Sequence, residues 1–91
     1  MTAKKSVYVT QTEANAQRGD AAAMELLSRR FFSGKGVEKS FQASYYWSTI
    51  ALKKGVSYLT HMNQFALMKL SEEEKASVAA DLKHWFDQHV D

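Results

Sequence analysis

Apolar residues recur along this chain every three to four positions, the spacing of one helical face, and almost nowhere at every second position. Ala23, Leu27 and Phe31, with Met24 and Leu26 beside them, predict a helix over 21–33, started by Asp20 and closed by Gly34. Ser44, Trp47 and Ala51 form the next stripe, beside Tyr46 and Ile50. Ser40 caps that helix, and Lys53, Lys54 and Gly55 suit its end. A fourth helix starts from Ser57 and turns Leu59, Met62, Ala66, Leu67 and Leu70 inward. Ser71 and Glu74 have capping-box spacing, and Glu72, Glu73 and Glu74 suit the positive end of a helix dipole. They open a fifth helix with Val78, Ala79, Leu82, Trp85 and Phe86 on one face. Thr10 and Glu13 have the same box spacing and predict a first helix over 11–18, ending at Gly19. Only Val7, Tyr8 and Val9 read weakly as a strand. The pattern therefore predicts an all-α domain of about five helices, packed as neighbouring antiparallel pairs because the corners are short.

Composition narrows the class. A chain of 91 residues is enough for one core and too short for two, so 1–91 reads as a single domain. With 45% apolar and 24% charged residues it has the balance of a globular chain rather than a disordered one. The absence of cysteine removes disulfides, thiolate chemistry and cysteine-based metal centres. Nothing approaches the roughly 18 apolar residues of a membrane span, and Met1 to Thr10 lacks the apolar stretch of a secretory leader, so a cytoplasmic location is expected. Residues 1–55 hold nine Lys/Arg against four Asp/Glu, and residues 56–91 hold three against six. This asymmetry suits either solvated helix faces or head-to-tail self-association.

Residues 23–55 resemble the Sel-one-like repeat, an α/α hairpin related to the tetratricopeptide repeat. The family pattern, A-x-x-x-L-G-x-x-Y-x-x-G-x-G-V followed by helical A-x-x-W-Y and A-A steps and a closing glycine, is met by Ala23, Leu27, Phe31, Gly34, Gly36, Val37, Trp47, Ala51 and Gly55. Ser28, Ser40, Ser44, Ser48 and Leu52 depart from it; Ser28, in place of a glycine, sets the two helices slightly further apart. The resemblance implies a short α/α-hairpin superhelix: a flanking helix over 10–20, the hairpin over 21–55 and capping helices over 56–91. With one complete repeat, the first and fifth helices, or a second copy of the chain, must cover the exposed ends. Independently of the family, small residues (Ala23, Ser28, Ser44, Ala51) fall where helices meet, and Leu27, Phe31 and Trp47 fill the space between.

Candidate chemistry is sparse. Gly34, Lys35 and Gly36 lack the spacing and preceding strand of a phosphate loop and read as a helix corner. His84 and His89 stand five apart, not the four that aligns two ligands on one helical face, so no metal site is predicted. His61 has no nucleophile or paired carboxylate to serve as a base. The run 72–74 is explained by capping. No catalytic residue, cofactor or metal is expected, and the chain reads as a non-enzyme.

Binding remains. In Sel-one-like repeats the first helix of each hairpin lines the concave side, which implies Ala22, Glu25, Arg29, Phe32 and Ser33 here and, shifted from Gly19 to Gly55, Tyr58, His61, Phe65, Met68 and Lys69. Phe32, Tyr58, Phe65 and Met68 lie off the inward stripes and would form an apolar strip rimmed by Glu25, Arg29 and Lys69. The plainer alternative is that Phe65 and Met68 pack under the fifth helix. The expected function is a protein-interaction module, an adaptor or scaffold whose partner is a protein segment or a second copy in a homodimer. Two alternatives stand beside it. One is a basic nucleic-acid binder using Arg29, Arg30, Lys53 and Lys54, with Lys4, Lys5, Lys35 and Lys39 nearby. The other is a small regulatory or immunity-type partner of an effector, by analogy with bacterial repeat adaptors.

Overall fold

The computed structural model describes residues 7–89, and every regular element among them is helical: α1 (Val7–Gln17), α2 (Ala21–Ser33), α3 (Phe41–Lys53), α4 (Thr60–Met68) and α5 (Glu72–Gln88), with a 3-10 turn at Ser57–Leu59 ahead of α4. Lys4 and Lys5 lie outside the described residues. The described chain contains no strand, so the all-α reading holds.

The central hairpin has the predicted ends. Asp20 Oδ1 accepts from the backbone N–H of Ala22 at 3.0 Å and of Ala23 at 3.3 Å, which starts α2. Gly34 closes it at φ 79°, donating to Arg30 O at 2.7 Å; a Cβ there would sit 3.2 Å from the Lys39 Cβ, so both backbone sign and space call for glycine. Ser40 then donates its N–H to Phe31 O at 2.9 Å, and its Oγ accepts from Ala43 N at 3.0 Å, tying the corner to α3. At the far end Val56 N bonds Ala51 O and Gly55 N bonds Leu52 O, the paired bonds of a Schellman ending.

The flanks differ from expectation. α1 spans Val7–Gln17, so Thr10 lies inside the helix rather than at its start, and the three residues that resembled a strand are helical. Val9, Thr12 and Ala16 are buried at helical spacing, and that burial carries the helix a turn further back than capping logic places it. No side chain caps α4. Ser57 instead offers its carbonyl to Thr60 Oγ1 at 2.9 Å within the 3-10 turn. In α5 the capping box forms as predicted: Ser71 N donates to Glu74 Oε1 at 2.9 Å and Glu74 N to Ser71 Oγ at 3.1 Å. Ala79 is exposed rather than inward, since one residue past Val78 it lies about 100° round from the Val78, Leu82 and Trp85 stripe.

Helix α3 is the hub, packing against α2, α4 and α5, while α1 rests on α2. Strict pairing of chain neighbours is thus corrected at one point: α5 passes over α4 and packs chiefly on α3. Trp47 is 4% exposed, in one cluster with Leu27, Phe31, Val37 and Ile50. Polar pins sit among these contacts. Ser44 Oγ donates to Ser28 O at 2.9 Å, joining α3 to α2 inside the core. Ser28 returns its own hydroxyl to Glu25 O at 2.7 Å, so the group that departs from the repeat pattern is satisfied within its own helix. Asn63 Nδ2 donates to Ser48 Oγ at 2.8 Å and Thr49 Oγ1 at 2.9 Å, joining α4 to α3.

Candidate interaction face

Glu25, Arg29 and Phe32 fall on one side of α2, because positions four and seven residues apart nearly align. Arg29 Nε bonds Glu25 Oε2 at 3.1 Å and carries its guanidinium over the Tyr58 ring, 5.8 Å from the centroid. Tyr58, in the 3-10 turn, is 64% exposed. Its hydroxyl donates to the Glu25 carboxylate and holds Glu25 below the usual carboxylate range, against a small opposing cost of burial and with Arg29 adding to the effect. The same bond pushes the Tyr58 phenol up. One end of the face is thus a Glu25, Arg29 and Tyr58 cluster linking α2 to the turn before α4.

The other end is aromatic. Phe32 of α2, Phe41 of α3 and Phe65 of α4 meet edge to face, with centroids 5.5 Å apart for Phe32–Phe41 and Phe32–Phe65 and 5.9 Å for Phe41–Phe65. Phe32 and Phe41 are half-buried, whereas Phe65 is 44% exposed. Lys39 Nζ lies 5.0 Å from the Phe41 centroid and Lys69 Nζ 5.2 Å from that of Phe65, so cations border the trio. Met68, one turn past Phe65, is 79% exposed. Phe65 and Met68 therefore do not pack under α5.

These contacts gather six of the eight predicted partner-binding residues in two groups, Glu25, Arg29 and Tyr58 in one and Phe32, Phe65 and Lys69 in the other. Met68 extends the same side of α4, and His61 is exposed on its first turn. Ala22 and Ser33 are exposed toward the two ends of α2, with Ser33 Oγ bonded to Arg29 O at 3.0 Å. Sequence reasoning missed Phe41 and, as part of this face, Lys39. The signal was present: Phe41, Tyr45 and Leu52 form a second apolar row on α3, well round the helix from the Ser44, Trp47 and Ala51 stripe.

The remaining candidates scatter. Gly34 to Gly36 form the α2–α3 corner. His89 stacks on Trp85 with centroids 3.7 Å apart; its Nδ1 lies 2.8 Å from Trp85 O and its Nε2 3.3 Å from Gln17 O, which ties the end of α5 to α1. Lys54 reaches over the Trp85 ring at 5.9 Å, remote in the chain from the Arg29 cluster. Among the described residues no three histidines or carboxylates converge as a metal would require. No helix among them is long and apolar enough to cross a membrane.

A second concavity opens on the side of α3 that carries Tyr46 and Trp47. It holds about 610 Å³ between α1, α3 and α5, with Phe31, Trp47 and Val78 in its floor and Glu38 and Asp81 on its walls. Burial raises the Tyr46 phenol above its ordinary value, and the nearby Asp81 carboxylate adds to the rise.

Searches against protein-family models, curated proteins and solved structures find no match for this chain. The functional reading rests on the face itself.

Proposed function

We propose that this chain is a protein-interaction module without catalytic activity, a Sel-one-like α/α hairpin with flanking helices in a short superhelical array. Its α2–α4 surface docks a protein segment or a second copy of the chain. The observation that carries the reading is the exposure of Phe65, Tyr58 and Met68 beside an aromatic trio drawn from three helices and bordered by Lys39 and Lys69, with Arg29 over the Tyr58 ring. Single exposed apolar residues are ordinary; a contiguous group rich in aromatic and methionine side chains with a charged rim is the composition of docking sites.

The test is a double substitution, Phe65→Ser with Met68→Ser, chosen because both side chains are largely outside the core. Association, read as solution mass by light scattering at two concentrations and as recovery of a co-purified partner, is expected to be lost while circular dichroism stays helical. Association unchanged by the double variant would refute the face. A gel shift with nucleic acid that weakens steeply from low to physiological salt would move the reading to the basic alternative.

A further inference from the structure

We propose that the α2–α4 surface of one copy docks into the α1–α3–α5 groove of a second copy, with Met68 entering the groove and Lys69 meeting Glu38 and Asp81. This rests on the reading of the α2–α4 surface as a docking face and names its occupant.

Shape supplies the first argument. Met68 is the last residue of α4, at the point where the chain turns toward α5, and at 79% it is more exposed than Phe65 or Tyr58. A methionine is unbranched and adapts to an irregular cavity. The groove holds about 610 Å³ over a floor of Phe31, Trp47 and Val78, and cavities of roughly 300–1,000 Å³ are the size that encloses small groups. Charge supplies the second. The donor surface carries Arg29, Lys39 and Lys69, with Glu25 paired to Arg29. The receiving groove carries Glu38 and Asp81, with Lys39 at the edge common to both surfaces. Because donor and receiver are different surfaces, the contact is head to tail, and a pair of copies keeps one surface of each kind open.

That asymmetry permits a decisive mixing experiment on the full chain. Light scattering of the parent at low salt is expected to show mass rising with concentration above the 10.3 kDa monomer, and falling back near 1 M salt, where the screening length is about 3 Å. Lys69→Glu spoils the donor surface and Asp81→Lys the receiver, so each variant alone is expected to be monomeric. Mixed in equal amounts, the intact donor of one fits the intact receiver of the other, and the mass doubles and stops there. Circular dichroism checks both folds; should Asp81→Lys lose helix, Glu38→Lys in the exposed corner takes its place.

A mixture that stays at monomer mass overturns the pairing, as does a parent that stays monomeric at high concentration in low salt. If Lys69→Glu abolishes association while both groove variants keep it, the groove is wrong and the docking face stands. If association persists in all of these yet disappears in Phe65→Ser with Met68→Ser, the face again stands and the charge argument fails.

Discussion

The seam between α2 and α3 and the surface shared by α2 and α4 use opposite sides of one helix, and they hold together by different means. At the seam Leu27 and Phe31 are buried with Trp47, and the enclosed Ser28 and Ser44 hydroxyls are bonded along and across the helices. On the α2–α4 side the rings touch edge to face and stay open to water, and the link between elements runs through a half-buried Glu25 with the exposed Arg29 and Tyr58, while Asn63 ties α4 to α3. Burial fixes the first region. The second is assembled from contacts that individually contribute little, of about 0.5–1.5 kcal/mol for an aromatic pair and about 0–1 kcal/mol for an exposed ion pair. A surface held so lightly leaves apolar area available for a partner.

Trp47→Ala is the largest blow to the seam. It removes a side chain only 4% exposed from the hub helix and is expected to cost about 3–5 kcal/mol, most of the stability of a domain this small. Chemical denaturation followed by circular dichroism reads it. A sharp unfolding transition close to that of the parent would mean that the seam is not what holds the fold.

Why the seam was legible and the face only partly so follows from these residues. Asp20, Gly34, Ser40 and Gly55 each do a local job, a cap or a left-handed turn, and local jobs leave local signals; α2 and α3 consequently have the ends that spacing predicts. Leu27, Phe31 and Trp47 repeat at helical period and are buried. Phe32 and Phe65 stood out because they break that period. Phe41 was overlooked because its role depends on α4 arriving beside α3, which no spacing within α3 encodes. Asn63 has the same character: its amide bonds a fully buried Ser48 hydroxyl fifteen residues away. The placement of α5 on α3 rather than α4 is likewise tertiary, since the amphipathic stripe of Val78, Leu82 and Trp85 specifies a buried side without naming the neighbour that buries it.

Asn63→Ala sharpens the contrast. Ser48 Oγ keeps its bond to Tyr45 O at 3.2 Å but loses its partner on α4. The expected cost is about 1–2 kcal/mol, toward the low end for a buried group deprived of one bond, or roughly 4–16 °C in melting temperature. Hydrogen exchange separates the regions: amides of α4 should exchange faster while those of α2 and α3 keep their protection relative to global unfolding. Equal acceleration in α2 would show that the two regions are one cooperative unit.

The smallest effect is a pH dependence confined to the open side. The Tyr58 hydroxyl holds the Glu25 carboxylate below its ordinary range, so the ionised form is the one the folded cluster favours. The folded value is depressed; the contribution is therefore complete above the unfolded carboxylate value of about 4.3 and is lost as pH falls through the lower, folded one. Since Tyr58 and Arg29 are exposed and screened by solvent, the change is expected in local order rather than in global stability: below about pH 4.3 the Tyr58 ring should loosen from α2 while Trp47 fluorescence and helix content stay constant. Tyr58→Phe keeps the ring and removes the donor, so in that variant Glu25 should titrate at a higher pH than in the parent, by nuclear magnetic resonance of its side-chain carboxyl. If the two titrations coincide, the hydroxyl is not what depresses Glu25, and the link between α2 and the turn before α4 reduces to the Arg29 guanidinium over the Tyr58 ring.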